Sequence, residues 1–325
     1  MVLLEDILLF GIAALALWLG ARSLVTGASR LASAAGVSAL VVGLTVVAFG
    51  TSAPEIVVST GAAVEGRGDV AVGNVVGSNV FNIGVILGLV AVITPFRVTE
   101  PLLHRDVLAM AGSTIVAAAV LADGSVSRLE GAILLVVLTC YLGVLWFAIR
   151  AATDGDGGRS KPIDGGTTAL AERDRHDVRI GIEGGRILVG LVLVIVGGRV
   201  LVDSAVGLAL AAGVSEWAIG VTVVAAGTSI PELVTSVVAA RGDDVSIAAG
   251  NIIGSNIFNV VGVLGIAAVF RPLTVDPAVF VALTWLGVLT VFTTIVLATG
   301  RRLTRLEGIS LVVLGVGYSI VSLIL

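Results

Sequence analysis

Residues 43–88 read GLTVVAFGTSAPEIVVSTGAAVEGRGDVAVGNVVGSNVFNIGVILG, and residues 220–265 read GVTVVAAGTSIPELVTSVVAARGDDVSIAAGNIIGSNIFNVVGVLG. Aligned without a gap at an offset of 177, the two stretches share 24 of 46 positions. Apolar bias aligns valine with valine by chance. It does not align Gly-Thr-Ser-x-Pro-Glu and Gly-Asn-x-x-Gly-Ser-Asn-x-Phe-Asn together. The same offset pairs Arg22 with Arg199, Pro95 with Pro272, and the run Arg128-Leu129-Glu130-Gly131 with Arg305-Leu306-Glu307-Gly308. The chain is an internal duplication.

Around these stretches the chain is too apolar to make a soluble globule. Of 325 residues 57% are hydrophobic and 13% charged, against about 25% charged in an ordinary soluble domain. The mean hydropathy is +1.11. This composition excludes a soluble enzyme, a nucleic-acid binder and a disordered chain, and 42 Gly without a three-residue period exclude collagen. Crossing a bilayer takes about 20 mostly apolar residues. Such runs lie at about 5–30, 38–64, 70–94, 103–122 and 126–149, then at about 183–212, 214–240, 245–269, 276–298 and 303–324. The expected fold is therefore all-α and membrane-integral, with ten transmembrane helices. The first run starts beside Glu5 and Asp6 rather than after basic residues, so it reads as a retained span. The one cysteine, Cys140, allows no internal disulfide and reads as a small buried hydrophobe.

Five spans per half is an odd number, so two similar halves joined end to end sit in opposite orientations. That is an inverted repeat, the architecture of many secondary transporters, whose substrate site lies near the midplane where interrupted helices meet. The domains read as residues 1–150 and 183–325, with a linker at 151–182. The linker contains DGDGGRSKPIDGG and the only lysine, Lys161; it reads as flexible, with a short helix expected near Ala169–Asp177. Its acids lack the spacing of a calcium-binding loop. With the linker cytoplasmic, Arg30, Arg97, Arg105, Arg150, Arg159, Lys161, Arg173, Arg175, Arg179, Arg186, Arg241, Arg301, Arg302 and Arg305 fall on that side, 14 in all. Arg67, Arg128 and Arg271, or 3, fall on the other. Basic loops stay inside. The asymmetry predicts a multi-pass cell-membrane protein with both termini extracellular.

Within the second span Pro54 lacks an N–H and its ring crowds the carbonyl four residues back, so the helix must kink or break. Pro231 repeats this in the seventh span. The freed carbonyls need partners that hydrocarbon does not offer. Glu55 and Glu232 then stand at mid-membrane depth without a neighbouring basic residue, where a charge costs about 2.5 kcal/mol or more and marks an ion pathway. Ser52 and Thr51, three and four residues before Glu55, share its helical face, as Ser229 and Thr228 do for Glu232. Asn74, Ser78 and Asn82 recur every fourth residue, and so do Asn251, Ser255 and Asn259. Of these, Asn74 and Asn251 read first as helix–helix hydrogen-bonding residues. Asp6, Glu130, Asp203, Glu216 and Glu307 lie nearer span ends and read as interfacial. Carboxylates, hydroxyls and amides are oxygen donors, which suit Ca²⁺ or Na⁺ rather than zinc or copper.

These paired GTSxPE and GNxxGSNxFN motifs resemble those of the calcium/cation antiporter superfamily, and specifically of prokaryotic-type sodium/calcium exchangers, over nearly the whole chain. The resemblance implies ten helices, with helices 2, 3, 7 and 8 around four cation sites. It implies that Glu55 and Glu232 are shared ligands of Ca²⁺ and Na⁺, completed by Thr51, Ser52, Thr228, Ser229, Ser78, Ser255 and Asn82. Backbone carbonyls of Ala48 and Ala225 join them. Where many exchangers carry an aspartate in the eighth helix, this chain has Asn259, which removes a titratable group from the site centre. The implied activity is antiport of Na⁺ against Ca²⁺ by alternating access, electrogenic if three Na⁺ exchange for one Ca²⁺. Helices 1 and 6, with their glycines, are the expected moving pair. The transported ions and the lipid bilayer are the partners; no cofactor, no nucleic acid and no enzymatic role are implied. A proton/calcium antiporter on the same scaffold is the nearest alternative. An intramembrane protease would need a Ser–His pair or two membrane aspartates, whereas His104 lies at a span edge and His176 in the linker.

Overall fold

In hydrocarbon a backbone must satisfy its own hydrogen bonds, so apolar runs of this length become helices. The computed structural model describes residues 2–154, 180–211, 225–242, 244–275, 277 and 279–324. The first half contains α1 (Val2–Ala35), α2 (Ala39–Thr51), α3 (Ala53–Glu65), α4 (Gly68–Ile93), α5 (Leu102–Val120) and α6 (Arg128–Asp154). The second contains α7 (Ile180–Ala211), α8 (Ala225–Gly227), α9 (Ile230–Arg241), α10 (Val245–Phe270), α11 (Val279–Gly300) and α12 (Arg305–Ile324). Among the described residues eight helices are long and apolar enough to cross a membrane, and the bent pair α2–α3 makes a ninth span. The pair α8–α9 stands at the repeat offset from α2–α3. The upstream part of that seventh span and the expected linker helix near 169–177 lie outside the described residues.

Besides the helices, the described residues form four two-residue strands: β1 (Phe96–Arg97), β2 (Ser125–Val126), β3 (Leu273–Thr274) and β4 (Arg302–Leu303). No sequence pattern announces them, because two residues carry no period. β1 pairs antiparallel with β4 through Phe96↔Leu303, and β2 with β3 through Val126↔Leu273. Adding 177 to Phe96 and subtracting it from Leu303 turns the first pair into the second. A contact set that maps onto itself when the halves are exchanged has twofold pseudosymmetry.

The helices are layered by burial. The best window of α10 is 89% buried and that of α4 67%, whereas α6 and α12 reach only 17%. The two helices carrying the Asn-Ser-Asn stripes are thus the central ones. Outer faces present large apolar residues such as Val57, Leu129, Phe147 and Leu306. Cys140 is exposed on α6 rather than buried as its type predicts, because α6 is peripheral and lipid accepts an apolar thiol as readily as a protein core does. Across the molecule α1 and α7 pack along each other. A Cβ at Gly190 would stand 2.7 Å from Gly20 O, so only glycine permits this approach.

Candidate functional site: a buried carboxylate pair at two helix breaks

The breaks fall two residues before each proline. Ser52 (φ −81°, ψ 9°) separates α2 from α3, which are bent by 44°, and Ser229 (φ −91°, ψ 8°) separates α8 from α9. Pro54 and Pro231 occupy the first turn of the new helix, where the missing N–H has no intrahelical partner to lose. That same turn holds Glu55 and Glu232, and the positive end of a helix favours a carboxylate. The chemistry that breaks the helix therefore also places the acid.

Hydrogen bonds then cross between the halves in matched pairs. Ser52 Oγ donates to Glu232 Oε1 at 3.1 Å, and Ser229 Oγ donates to Glu55 Oε1 at 3.2 Å. Thr51 Oγ1 donates to Asn251 Oδ1 at 3.1 Å, and Thr228 Oγ1 to Asn74 Oδ1 at 3.2 Å. Asn74 Nδ2 donates to Ser59 Oγ at 2.9 Å, and Asn251 Nδ2 to Ser236 Oγ at 3.0 Å. Each half thus orients the carboxylate of the other. Asn74 and Asn251 do bridge helices, as their type predicts.

Around this frame several polar atoms are buried without a hydrogen-bond partner among the described residues. They are Glu55 Oε2, Glu232 Oε2, and both amide atoms of Asn82 and of Asn259. Asn82 opens a wide, π-helical turn at Asn82–Leu87, and Asn259 lies in its counterpart Phe258–Val263. Such turns are rare and cluster at functional sites. Ser78 Oγ reaches Glu55 Oε1 at 3.5 Å and Thr228 Oγ1 at 3.4 Å, while Ser255 Oγ reaches Ala48 O at 3.5 Å. Ala225, named with Ala48, begins α8. Thr51, Ser52, Glu55, Ser78, Asn82, Ser229, Glu232, Ser255 and Asn259 are all buried, and Thr228 is partly exposed.

Among the described residues no arginine or lysine pairs with Glu55 or Glu232. An ionised carboxylate buried without a counter-charge costs several kcal/mol. The donor set therefore calls for a mobile cation held by oxygen. Sequence reasoning passed over Ser59 and Ser236. They lie one turn beyond each glutamate and repeat at 177, which is the signal that finds them. It also passed over buried Asp106, to whose Oδ1 half-buried Arg105 Nε and Tyr141 Oη donate at 2.8 and 3.3 Å. Asp106 and Tyr141 stand in different spans and share no sequence signal. Of the acids read as interfacial, Glu130 and Glu307 cap helix starts and Asp203 pairs with Arg199.

A cavity of about 690 Å³ is lined by Pro54, Gly73, Asn74, Gly77, Thr228 and Pro231 among others. Among the described residues a Cβ at Gly73 would meet nothing within 4 Å and one at Gly77 only Tyr318 Oη at 4.0 Å. At the counterparts Gly250 and Gly254 a Cβ would stand 2.5 Å from Leu40 O and 2.6 Å from Leu44 O, so α2 packs directly on α10 there. The counterparts of Leu40 and Leu44, at 217 and 221, lie outside the described residues. Thr51 and Asn251, counterparts of Thr228 and Asn74, are fully buried.

Broken helices of two repeats meeting at one buried polar site define a multi-pass membrane transporter of the inverted-repeat kind. The family model described as sodium/calcium exchanger protein matches residues 6–147 and 184–324, and the chain belongs to that family. It is 31% identical over 306 residues to the sodium/calcium exchanger MaX1 of Methanosarcina acetivorans, covering 85% of this chain and 86% of that one. It is 35% identical over 313 residues to the putative antiporter CaxA of Alkalimonas amylolytica, covering 94% of each. The inner membrane protein YrbG of Escherichia coli is 39% identical over 239 residues, covering 72% of this chain and 70% of that one. A solved structure of the sodium-calcium exchanger NCX_Mj superposes with a TM-score of 0.81 at 30% identity, covering 97% of this chain and 98% of the other.

Proposed function

We propose that the protein exchanges Na⁺ for Ca²⁺ across the cell membrane by alternating access, with residues 1–150 and 183–325 as its inverted halves and 151–182 as a cytoplasmic linker. The observation that carries this reading is the pair Glu55 and Glu232. Each is buried at a helix break, oriented by a serine of the opposite half, and left with one carboxylate oxygen that no described residue hydrogen-bonds. Two carboxylates balance one Ca²⁺. Three Na⁺ would leave about one positive charge, so a three-for-one cycle moves net charge and responds to membrane potential by about 2.3 kcal/mol per 100 mV. The ligands are Glu55, Glu232, Thr51, Ser52, Thr228, Ser229, Ser78, Ser255, Asn82 and Asn259, with the carbonyls of Ala48 and Ala225.

Exchange follows because the carboxylates serve both ions and the pair does not cross uncompensated. The cavity beside Asn74 and Thr228 lies on the side of the termini, which the arginine asymmetry predicts to be extracellular. Access from the other side requires α2 to part from Gly250 and Gly254, with α1 and α7 moving along their glycine seam. The test is Ca²⁺ uptake by proteoliposomes loaded with Na⁺, with the proton gradient collapsed by an ionophore. Uptake that needs the Na⁺ gradient supports the reading. Uptake that needs a proton gradient instead overturns it in favour of proton/calcium antiport.

A further inference from the structure

A second cavity, of about 630 Å³, opens between α1 and α9, away from the carboxylate pair. Trp18, Arg22, Val25 and Thr26 supply one helical face of α1. Leu233, Val234, Val237, Val238 and Arg241 supply the facing stripe of α9. Its floor is apolar, and among the described residues its charges are two arginines and one acid, Asp244, which accepts Ser29 Oγ at 3.2 Å. Neither Arg22 nor Arg241 forms an ion pair among the described residues. Both are exposed.

Depth makes this unusual. Arg30 sits near the end of α1, and Arg22 is two turns further into the span, about 12 Å at 1.5 Å per residue. Helical side chains lean towards the N-terminus, and Arg22 does so, its guanidinium lying 5.5 Å from the Trp18 ring centroid. It therefore leans deeper into the hydrocarbon instead of out to the interface. A charge there is retained when it finds a partner. The repeat supplies the contrast: Arg199, counterpart of Arg22, is neutralised by Asp203 at 3.0 Å, whereas position 26, counterpart of Asp203, is a threonine.

We propose that the groove between α1 and α9 is a binding site for an anionic phospholipid of the leaflet on the Arg30 side. Arg241 at the end of α9 takes the headgroup, Arg22 takes the phosphodiester over Trp18, and the acyl chains lie along Leu89, Leu233 and Val237. The charge of the groove selects an anion, and its apolar floor and lateral opening select a lipid over a soluble anion. Only the name of the leaflet rests on the proposed orientation, in which it is cytoplasmic, the leaflet rich in anionic lipid.

The test is native mass spectrometry of the purified full chain titrated with phosphatidylglycerol or phosphatidylcholine of matched acyl chains. Wild type should retain phosphatidylglycerol preferentially. Arg22→Gln and Arg241→Gln should each lower that preference about fivefold, from about 1 kcal/mol per arginine, and the double variant about 30-fold. Arg199→Gln should leave it unchanged. Equal retention of the two lipids by wild type, or an unchanged preference in the double variant, overturns the proposal. Should the double variant not fold, quenching by brominated lipids in bilayers decides, as the difference between wild type and Trp18→Phe. Excess quenching by brominated phosphatidylglycerol supports the site, and equal quenching by both lipids overturns it. Neither readout involves transport, so this site and the exchange reading fail independently.

Discussion

Replacing Glu55 by glutamine removes one of the two negative charges in the site while leaving Oε1, the atom that accepts Ser229 Oγ at 3.2 Å. The helix break and the bond from the opposite half are therefore kept. What is lost sits at Oε2, which has no hydrogen-bond partner among the described residues and becomes an amide NH₂ that repels a cation. Removing one partner from a buried charge interaction costs about 3–5 kcal/mol, which corresponds to roughly a hundredfold to several-thousandfold loss of Ca²⁺ affinity. Because Ser52 holds Glu232 as Ser229 holds Glu55, Glu232→Gln should lose a comparable amount. The assay has two arms. Ca²⁺ uptake into Na⁺-loaded proteoliposomes measures exchange. The Ca²⁺-dependent rise in melting temperature measures binding, since a ligand at 100 times its Kd stabilises by about 2.7 kcal/mol. Both variants should elute as the wild type does, melt normally without Ca²⁺, and show neither uptake nor a Ca²⁺-induced shift. Wild-type uptake in either variant would refute the two-carboxylate site. Failure to fold would show instead that these acids serve structure.

The hydroxyls should behave differently. Thr51→Ala and Ser229→Ala should weaken Na⁺ and Ca²⁺ unequally in competition assays, because a hydroxyl contributes a dipole and not a charge; equal losses would mean that these side chains only hold the helix break. Asn259→Asp should leave exchange active near neutral pH but add a new pH dependence on the alkaline side, since an amide does not titrate and a third carboxyl beside two others is held in its protonated form by like-charge repulsion. Superimposable pH profiles would place residue 259 off the ion path. Gly190→Val should lower the melting temperature, because overpacking costs about 1–3 kcal/mol and a Cβ there already stands 2.7 Å from Gly20 O. Unchanged stability would mean that α1 and α7 separate freely.

The duplication, the apolar runs, the two prolines and the two glutamates were all legible in the chain by itself. Each depends on covalent facts or local sterics: a ring without an N–H breaks a helix wherever it falls, and a carboxylate in an apolar run is out of place in any fold. The tertiary structure decided what depends on neighbours far apart in sequence. The serines bond the glutamate of the opposite half rather than their own, although both lie on the same helical face. Asn74 and Asn251 are held by hydrogen bonds while Asn82 and Asn259 are not, a distinction invisible in stripes of identical spacing. Above all, the glycines of the stripes take their role from what packs on them. Gly250 and Gly254 admit the backbone of α2 at Leu40 and Leu44, 210 positions away in the chain. No local pattern can specify such a contact, because it exists only once helices of the two halves lie against each other.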